Sequence, residues 1–191
     1  MAKRTRPLVA ETGRRVDAAF ARLNNARDRS WDLMPVLDMA IGMTGADMGP
    51  LQRFDERSDC LELVASRGFS QQSLSFFGSV RRDTNTSCAA AFPRRMRVFV
   101  EDISTSYPFV GTRELAMLSA GGVAAVQSTP LISSNSRLWG VLSTHFRATQ
   151  KESAFDLAPL DRLAVQIADR LVKNERSAPP RTMLEDRIGG D

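Results

Sequence analysis

Histidine and cysteine are almost missing from this chain. Its 191 residues contain one His, His145, and two Cys, Cys60 and Cys88. Two cysteines far apart in sequence supply neither a disulfide framework nor the paired spacing of a metal site. A lone imidazole, with no Ser, Asp or Cys arrangement recognisable around it, is first expected to be a structural, hydrogen-bonded histidine. Long apolar runs are missing too. None approaches the roughly 20 residues that cross a bilayer, so no membrane partner is expected. The basic N-terminus has no apolar stretch behind it, unlike a secretory signal. A cytoplasmic protein with reduced thiols is the resulting expectation.

Net charge is in short supply over most of the chain. The net charge is +4, but residues 1–30 hold eight Lys/Arg against three Asp/Glu, and the remainder holds 18 against 19. The basicity therefore belongs to an N-terminal arm, and the body is close to neutral. Such an arm is read as solvated helix surface, so nucleic acid is not an expected partner. Apolar residues make up 42% of the chain, enough for one core, and the length suits one domain with appendages.

The apolar pattern organises the rest. Val9, Val16, Phe20 and Leu23 recur at helical spacing over residues 8–25. A second helix carries Leu33, Val36, Leu37, Ala40 and Ile41 as its stripe, with Asp32 as cap, Pro35 in the first turn and Gly42 to Gly45 at its close. Met48–Phe54 and Cys60–Ser66 flank the polar turn 55–59 as a hairpin. Short helices are predicted over Gln71–Phe77, from Ser87 to a stop at Pro93, and after Thr112 up to Ser119. Residues 81–87 read as irregular, and Val98–Val100 as a short strand. A final helix from Asp156 repeats Leu157, Leu160, Ala164, Ile167 and Leu171 at intervals of three and four, a seam suited to a helical partner. From Arg176 the composition turns to Pro, Gly and charge, as in a disordered tail. Helices at both ends around an antiparallel sheet define an α+β class. The expected organisation is a basic arm over 1–30, a folded domain over 31–174 and a tail over 175–191.

The chemistry concentrates in a second hairpin, Val123–Ile132 and Leu138–Phe146, joined by the turn 133–136. Gln127, Ser128, Ser143, Thr144 and His145 interrupt its apolar strands. Polar atoms there need partners, from a solvated side or a polar cavity. Ser87 and Cys88 stand at a helix start, where free N–H groups favour an anion or a carbonyl oxygen. The bland alternative is that Thr86 or Ser87 caps the helix while Cys88 packs as a small hydrophobe. A lowered thiol pKa at that helix start would instead make Cys88 reactive. Asp102 either caps the following Ser/Thr loop or faces a pocket. Phe77, Phe99, Tyr107 and Phe109 line a pocket or belong to the core.

The strings Gly45-Ala46-Asp47-Met48-Gly49, Val64-Ala65-Ser66-Arg67-Gly68-Phe69 and Ser87-Cys88-Ala89-Ala90-Ala91-Phe92 resemble GAF domains of bacterial signalling proteins. So do Val100-Glu101-Asp102-Ile103, Val126-Gln127-Ser128-Thr129-Pro130-Leu131 and Trp139-Gly140-Val141-Leu142-Ser143-Thr144-His145-Phe146, in this order, from about Leu33 to Leu171. The resemblance implies a six-stranded antiparallel sheet, helices on one face pairing between subunits, and a ligand pocket on the other. It does not imply one ligand, because the fold hosts many functions. Candidate ligand-binding residues are Ser87, Cys88, Phe99, Asp102, Phe109, Gln127, Ser143 and His145. Val16, Leu23, Leu160, Ile167 and Leu171 are the candidate dimer contacts.

The expected function is a non-catalytic sensor that binds a small cytosolic molecule and signals through a helical homodimer. With no kinase, cyclase or DNA-binding segment recognisable, its output would pass to a separate signalling protein. The alternatives are an architectural dimerisation module with a filled pocket and, more remotely, a cysteine-based reductase of free methionine sulfoxide. That family's usual cluster of cysteines is not matched. The Asn-Lys-Phe-Asp-Glu pattern that accompanies cyclic nucleotides is not seen, and the surroundings of Cys88 do not resemble a bilin site. Haem would have only His145 as an imidazole ligand. The cofactor is left unknown, and no metal is expected.

Overall fold

Local capping chemistry sets most of the element boundaries. The computed structural model describes residues 33–107 and 109–177. The expected helix over 8–25 with Val16 and Leu23, the basic arm, Asp32 and the residues beyond 177 lie outside the described residues. Helix α1 (Met34–Thr44) has Pro35 in its first turn, where a missing N–H costs no intrahelical bond. Its cap position is Leu33, which makes no side-chain cap bond, and Gly45 closes it in the left-handed region at φ 66°. Strands β1 (Gly49–Asp55) and β2 (Cys60–Arg67) form the first hairpin. Its turn is held by Asp55, which accepts from the N–H of Arg57 (3.1 Å) and from Ser58 Oγ (2.7 Å).

Helix α2 (Gln71–Phe76) starts at Ser70, whose hydroxyl accepts from the N–H of Ser73. Strand β3 (Ser79–Arg81) lies where the sequence reads as loop, since three residues are too few for a periodic signal. Helix α3 (Ser87–Arg94) is capped by Thr86, not by Ser87, and it passes through Pro93 instead of stopping there. In the last turn a proline removes only one helical bond, and the chain then exits through Arg95 at φ 53°. Strand β4 (Val98–Val100) precedes α4 (Arg113–Ala120), capped by Thr112 as expected. Strands β5 (Ala125–Ile132) and β6 (Leu138–Phe146) make the second hairpin. Helix α5 (Ala158–Ser177) begins two residues after the expected start, and the Asp156 carboxylate accepts from the N–H of Ala158.

The six strands form one antiparallel sheet in the order β3-β2-β1-β6-β5-β4. Helices α1 and α5 cover one face. There Val36, Leu37, Leu160, Leu163, Ile167 and Leu171 pack on Leu51, Leu131, Trp139 and Leu142. Helices α3 and α4 cover the other, where Ala89, Phe92 and Leu118 join the clusters built on Leu61, Val100, Val126 and Val141. Among the described residues no helix is long and apolar enough to cross a membrane.

This arrangement corrects the dimer assignment. Leu160, Ile167 and Leu171 are buried within a single chain, against the sheet and α1. A helix lying on a sheet needs the same apolar spacing as one lying on a second helix, so periodicity alone could not separate the two. The far end of α5 is latched as well. Trp139 Nε1 (3.0 Å) and Arg137 (3.2 Å) donate to Glu175, and the N–H and hydroxyl of Ser134 donate to Asp169. The helix therefore continues to Ser177, past residue 174 where the tail was expected to begin.

Strands β1 and β6 approach each other closely at Gly140. A Cβ there would overlap the carbonyl oxygen of Gln52 and come within 3.0 Å of Arg53 Cα, both backbone atoms of β1. Gly140→Ala must part β1 from β6 and is expected to destabilise the fold by about 3 kcal/mol or more, measured as a drop in urea midpoint relative to wild type. An unchanged midpoint would show that the sheet can relax at this point.

Candidate functional site

Strand β6 is buried along its whole length, so each of its polar side chains must be satisfied from inside the protein. Alternation then separates the polar residues of the hairpin. Gln127 and Thr144 point toward α5. The Gln127 amide is best satisfied with its nitrogen donating to Thr144 Oγ1 (2.9 Å) and its oxygen accepting from Arg97 Nε (3.3 Å) and Thr129. Arg97 also pairs with Asp161 at the start of α5. On the opposite face Ser87, Ser128 and Ser143 form a buried hydroxyl chain, 2.8 Å from Ser87 to Ser128 and 2.7 Å from Ser128 to Ser143. It ties the first turn of α3 to the centre of the sheet.

Above that face lies a cavity of about 40 Å³. Its floor includes Gln52 and His145, its walls are Thr86, Ser87 and Cys88, and Phe69, Ser73, Leu74, Phe77 and Leu118 form the roof. Among the described residues no Lys, Arg, Asp or Glu lines it. Most of the polar groups around it have partners within the protein. Ser73 bonds Ser70 (3.0 Å), Thr86 accepts from the N–H of Ala89 (3.2 Å) and Ser87 bonds Ser128. Two do not. Gln52 is 1% exposed and His145 7%, yet Gln52 Oε1 and His145 Nδ1 are buried without a hydrogen-bond partner among the described residues.

The cavity accounts for four of the eight candidate residues. Ser87, Cys88, Phe109 and His145 line it. Ser143 sits behind the wall, reached through Ser128 and Ser87. Three candidates lie elsewhere. Gln127 belongs to the polar cluster under α5. Phe99 stacks with Phe146 and Phe155 (centroids 6.4 and 5.5 Å apart). Asp102 is the loop cap, accepting from the N–H (2.8 Å) and hydroxyl (2.6 Å) of Ser104, and these bonds lower its pKa. Tyr107 is almost fully exposed and lines nothing. Sequence reading missed Gln52 altogether. Its signal was a glutamine between Leu51 and Phe54 in a strand whose neighbours are buried, the same signal that drew notice to Gln127.

Electrostatics narrows the chemistry. Burial pushes the Cys88 thiol up, with the hydrogen bond from or to Thr86 (3.2 Å) only partly opposing it. The helix start does not yield a thiolate, because desolvation outweighs the local dipole. Burial likewise pushes His145 down to about 3, so its imidazole is neutral at pH 7. The ring packs edge-on against Phe69 at 5.2 Å. Among the described residues no group of three or more His, Cys, Asp or Glu is placed to hold a metal.

The GAF domain family profile matches residues 32–171, and the chain belongs to that family. The fold also matches solved structures that do different things. The GAF domain of the Acinetobacter phosphoenolpyruvate-protein phosphotransferase superposes with a TM-score of 0.66 at 16% identity, covering 89% of this chain and 98% of that one. The free methionine-R-sulfoxide reductase of Neisseria meningitidis, solved with its substrate, gives 0.66 at 18% identity over 89% and 93%. The chromophore-binding domain of Stigmatella aurantiaca phytochrome P1 gives 0.58 at 17% identity over 90% and 63%. No protein of curated function matches the chain in sequence. At these identities the likeness shows the fold alone, and the site must speak for itself.

The neutral histidine has a consequence for stability. The unfolded imidazole takes up a proton near pH 6.5, whereas the folded one does so only near pH 3. The unfolded chain thus binds the proton first, and the contribution of His145 to stability, complete above pH 6.5, falls away as the pH drops through that window. By pH 5 the expected loss is about 2 kcal/mol. Urea unfolding at pH 7 and pH 5 should show this loss in wild type and not in His145→Gln. In NMR the single imidazole signal should stay at its neutral position down to pH 5; a titration midpoint between 6 and 7 would refute the burial.

Proposed function

We propose that this chain is a non-catalytic sensory GAF module that holds a small cytosolic molecule between the sheet and helices α2, α3 and α4. The observation that carries the reading is the pair of buried polar atoms without partners, on Gln52 and His145, in an otherwise satisfied apolar cavity. A cavity that served packing alone gains nothing from two unpaired polar groups, each of which costs about 1–3 kcal/mol. A ligand that bonds them recovers that cost. Its presence acts on α3 through the Ser87–Ser128–Ser143 chain, and on α5 through the sheet that carries Gln127 and Arg97 on its reverse face. A ligand that favours one helix arrangement over another shifts the population between them.

In this reading the output leaves through the paired helices α1 and α5 to a second copy or a separate signalling protein. Since Leu160, Ile167 and Leu171 are used inside the chain, a homodimer would form on the outer face of α5, where Val165 is 41% exposed. Native mass spectrometry of protein purified from cells should show an excess mass that disappears under denaturing conditions. A clean apo protein at every preparation would remove the sensor reading and leave an architectural module with a filled pocket.

A second reading has one observation in its favour, because Cys88 stands on the cavity wall of a fold that also serves a sulfoxide reductase. Its raised thiol pKa opposes nucleophilic attack, and Cys60, hydrogen-bonded to Ser58 at 3.0 Å, is not on the wall to resolve an intermediate. Incubation with free methionine sulfoxide and a dithiol reductant is expected to yield no methionine above background, with wild type and Cys88→Ser alike. Turnover lost in Cys88→Ser would reverse the choice.

A further inference from the structure

The cavity also specifies the kind of molecule it takes, an inference that rests on the sensor reading and deepens it. Charge is the first constraint. Among the described residues no Lys, Arg, Asp or Glu lines the space, and a buried ion with no counter-charge is heavily penalised there. His145 offers no positive charge to an anion either, since its imidazole is neutral. Size is the second constraint. A space of 40 Å³ takes about three waters at roughly 10–15 Å³ each, which in liquid water fill roughly 90 Å³, the bulk of a five-membered ring. Polarity is the third. The hydroxyls of Ser73, Thr86 and Ser87 each have a partner inside the protein, so among the described residues lining the cavity the buried polar atoms with none are Gln52 Oε1 and His145 Nδ1. The two are not side by side. Gln52 is opposite Val141 in the β1–β6 register, and His145 lies four residues further along β6.

Gln52 decides the direction of the bond. An amide oxygen can only accept, so its partner must be an N–H or O–H donor. The backbone that carries this side chain lies close against β6, where Gly140 leaves no room for a Cβ beside the Gln52 carbonyl. Alternation along β1 places Leu51 on the α1/α5 face and Gln52 over the cavity, and the register shift between them sets Gln52 across from Leu63, another lining residue. We infer that the site selects a small uncharged molecule of about ring size, apolar over most of its surface, that donates a hydrogen bond to Gln52 Oε1. Charged metabolites such as nucleotides and carboxylic acids are rejected.

Pyrrole, furan and propionate test this directly. Pyrrole and furan are rings of the same size that differ in the N–H donor, and propionate brings a charge in a similar volume. Titrations of the intact protein are followed by backbone NMR shifts, with the imidazole of the sole histidine reporting occupancy of the cavity. Pyrrole is expected to bind about tenfold more tightly than furan, from the unpaired acceptor that furan leaves buried. Gln52→Leu, which keeps an apolar strand residue, should abolish the difference while still admitting both rings. Propionate should leave the histidine signal unmoved. Equal binding of the two rings to wild type would overturn the donor requirement and leave the cavity as a ligand site. Stronger binding of propionate would overturn neutrality. If none of the three perturbs His145 while purified protein carries an endogenous molecule, the size and chemistry inferred here are wrong and the sensor reading survives. If nothing binds and nothing is carried, both fall.

Discussion

The constraint on which this protein depends is the complete burial of β6. A central strand covered on both faces by helices has no water to turn to, so each polar side chain in it must find a partner across the sheet or under a helix. Ser143 finds one through Ser128, and Thr144 finds one in Gln127. His145 finds one only for its backbone, which exchanges hydrogen bonds with Met48 (2.8 and 3.3 Å) and leaves the ring nitrogen Nδ1 without a partner. The rest of the fold reads as a response to that strand. Helices α1 and α5 supply the apolar cover on one side, and α3 and α4 cover the other while leaving a gap over Gln52 and His145.

The two faces are joined by neighbouring residues of the same strands. Ser128 bonds into α3 while Gln127 and Thr129 reach Arg97, which pairs with Asp161 at the first turn of α5. Any change in how α3 sits on Ser128 is one residue away from the polar cluster under α5. Close packing makes such a sheet stiff, so displacement on one face is transmitted and not absorbed. The family relationship is consistent with this design. Structures of the same fold occur in a phosphotransferase, a phytochrome and a reductase, so the fold by itself does not fix what is done with it.

The fold was legible because its signals are local. Ser70 and Thr112 accept from the N–H three residues on, Gly45 adopts φ 66°, and the turns at Asp55 and Ser133 hold their strands by short-range bonds. Each can be read within five residues of sequence. What was misread involves partners distant in sequence or elements too short to be periodic. The Leu160, Ile167 and Leu171 stripe has the same spacing whether it faces a sheet or a second helix, and β3 has only three residues. Gln127 and Ser128 are adjacent polar residues in one strand, yet they belong to different faces and different networks, and nothing in the local string ranks one above the other as a ligand contact.

By itself the sequence determined the order of helices and strands apart from β3, the family, and the near-neutral, cysteine-poor character of the body. The elements and the character of the body follow from composition, capping and alternation, which act over a few residues, and the family from the resemblance of its local strings. Only the tertiary structure decided which polar groups are left over. Gln52 and His145 lie on strands far apart in the chain, and the β1–β6 pairing brings them under one roof. Whether a buried polar atom is satisfied depends on every group that packs around it. That sum is taken over the folded molecule, so the site is a property of the packing and not of any motif.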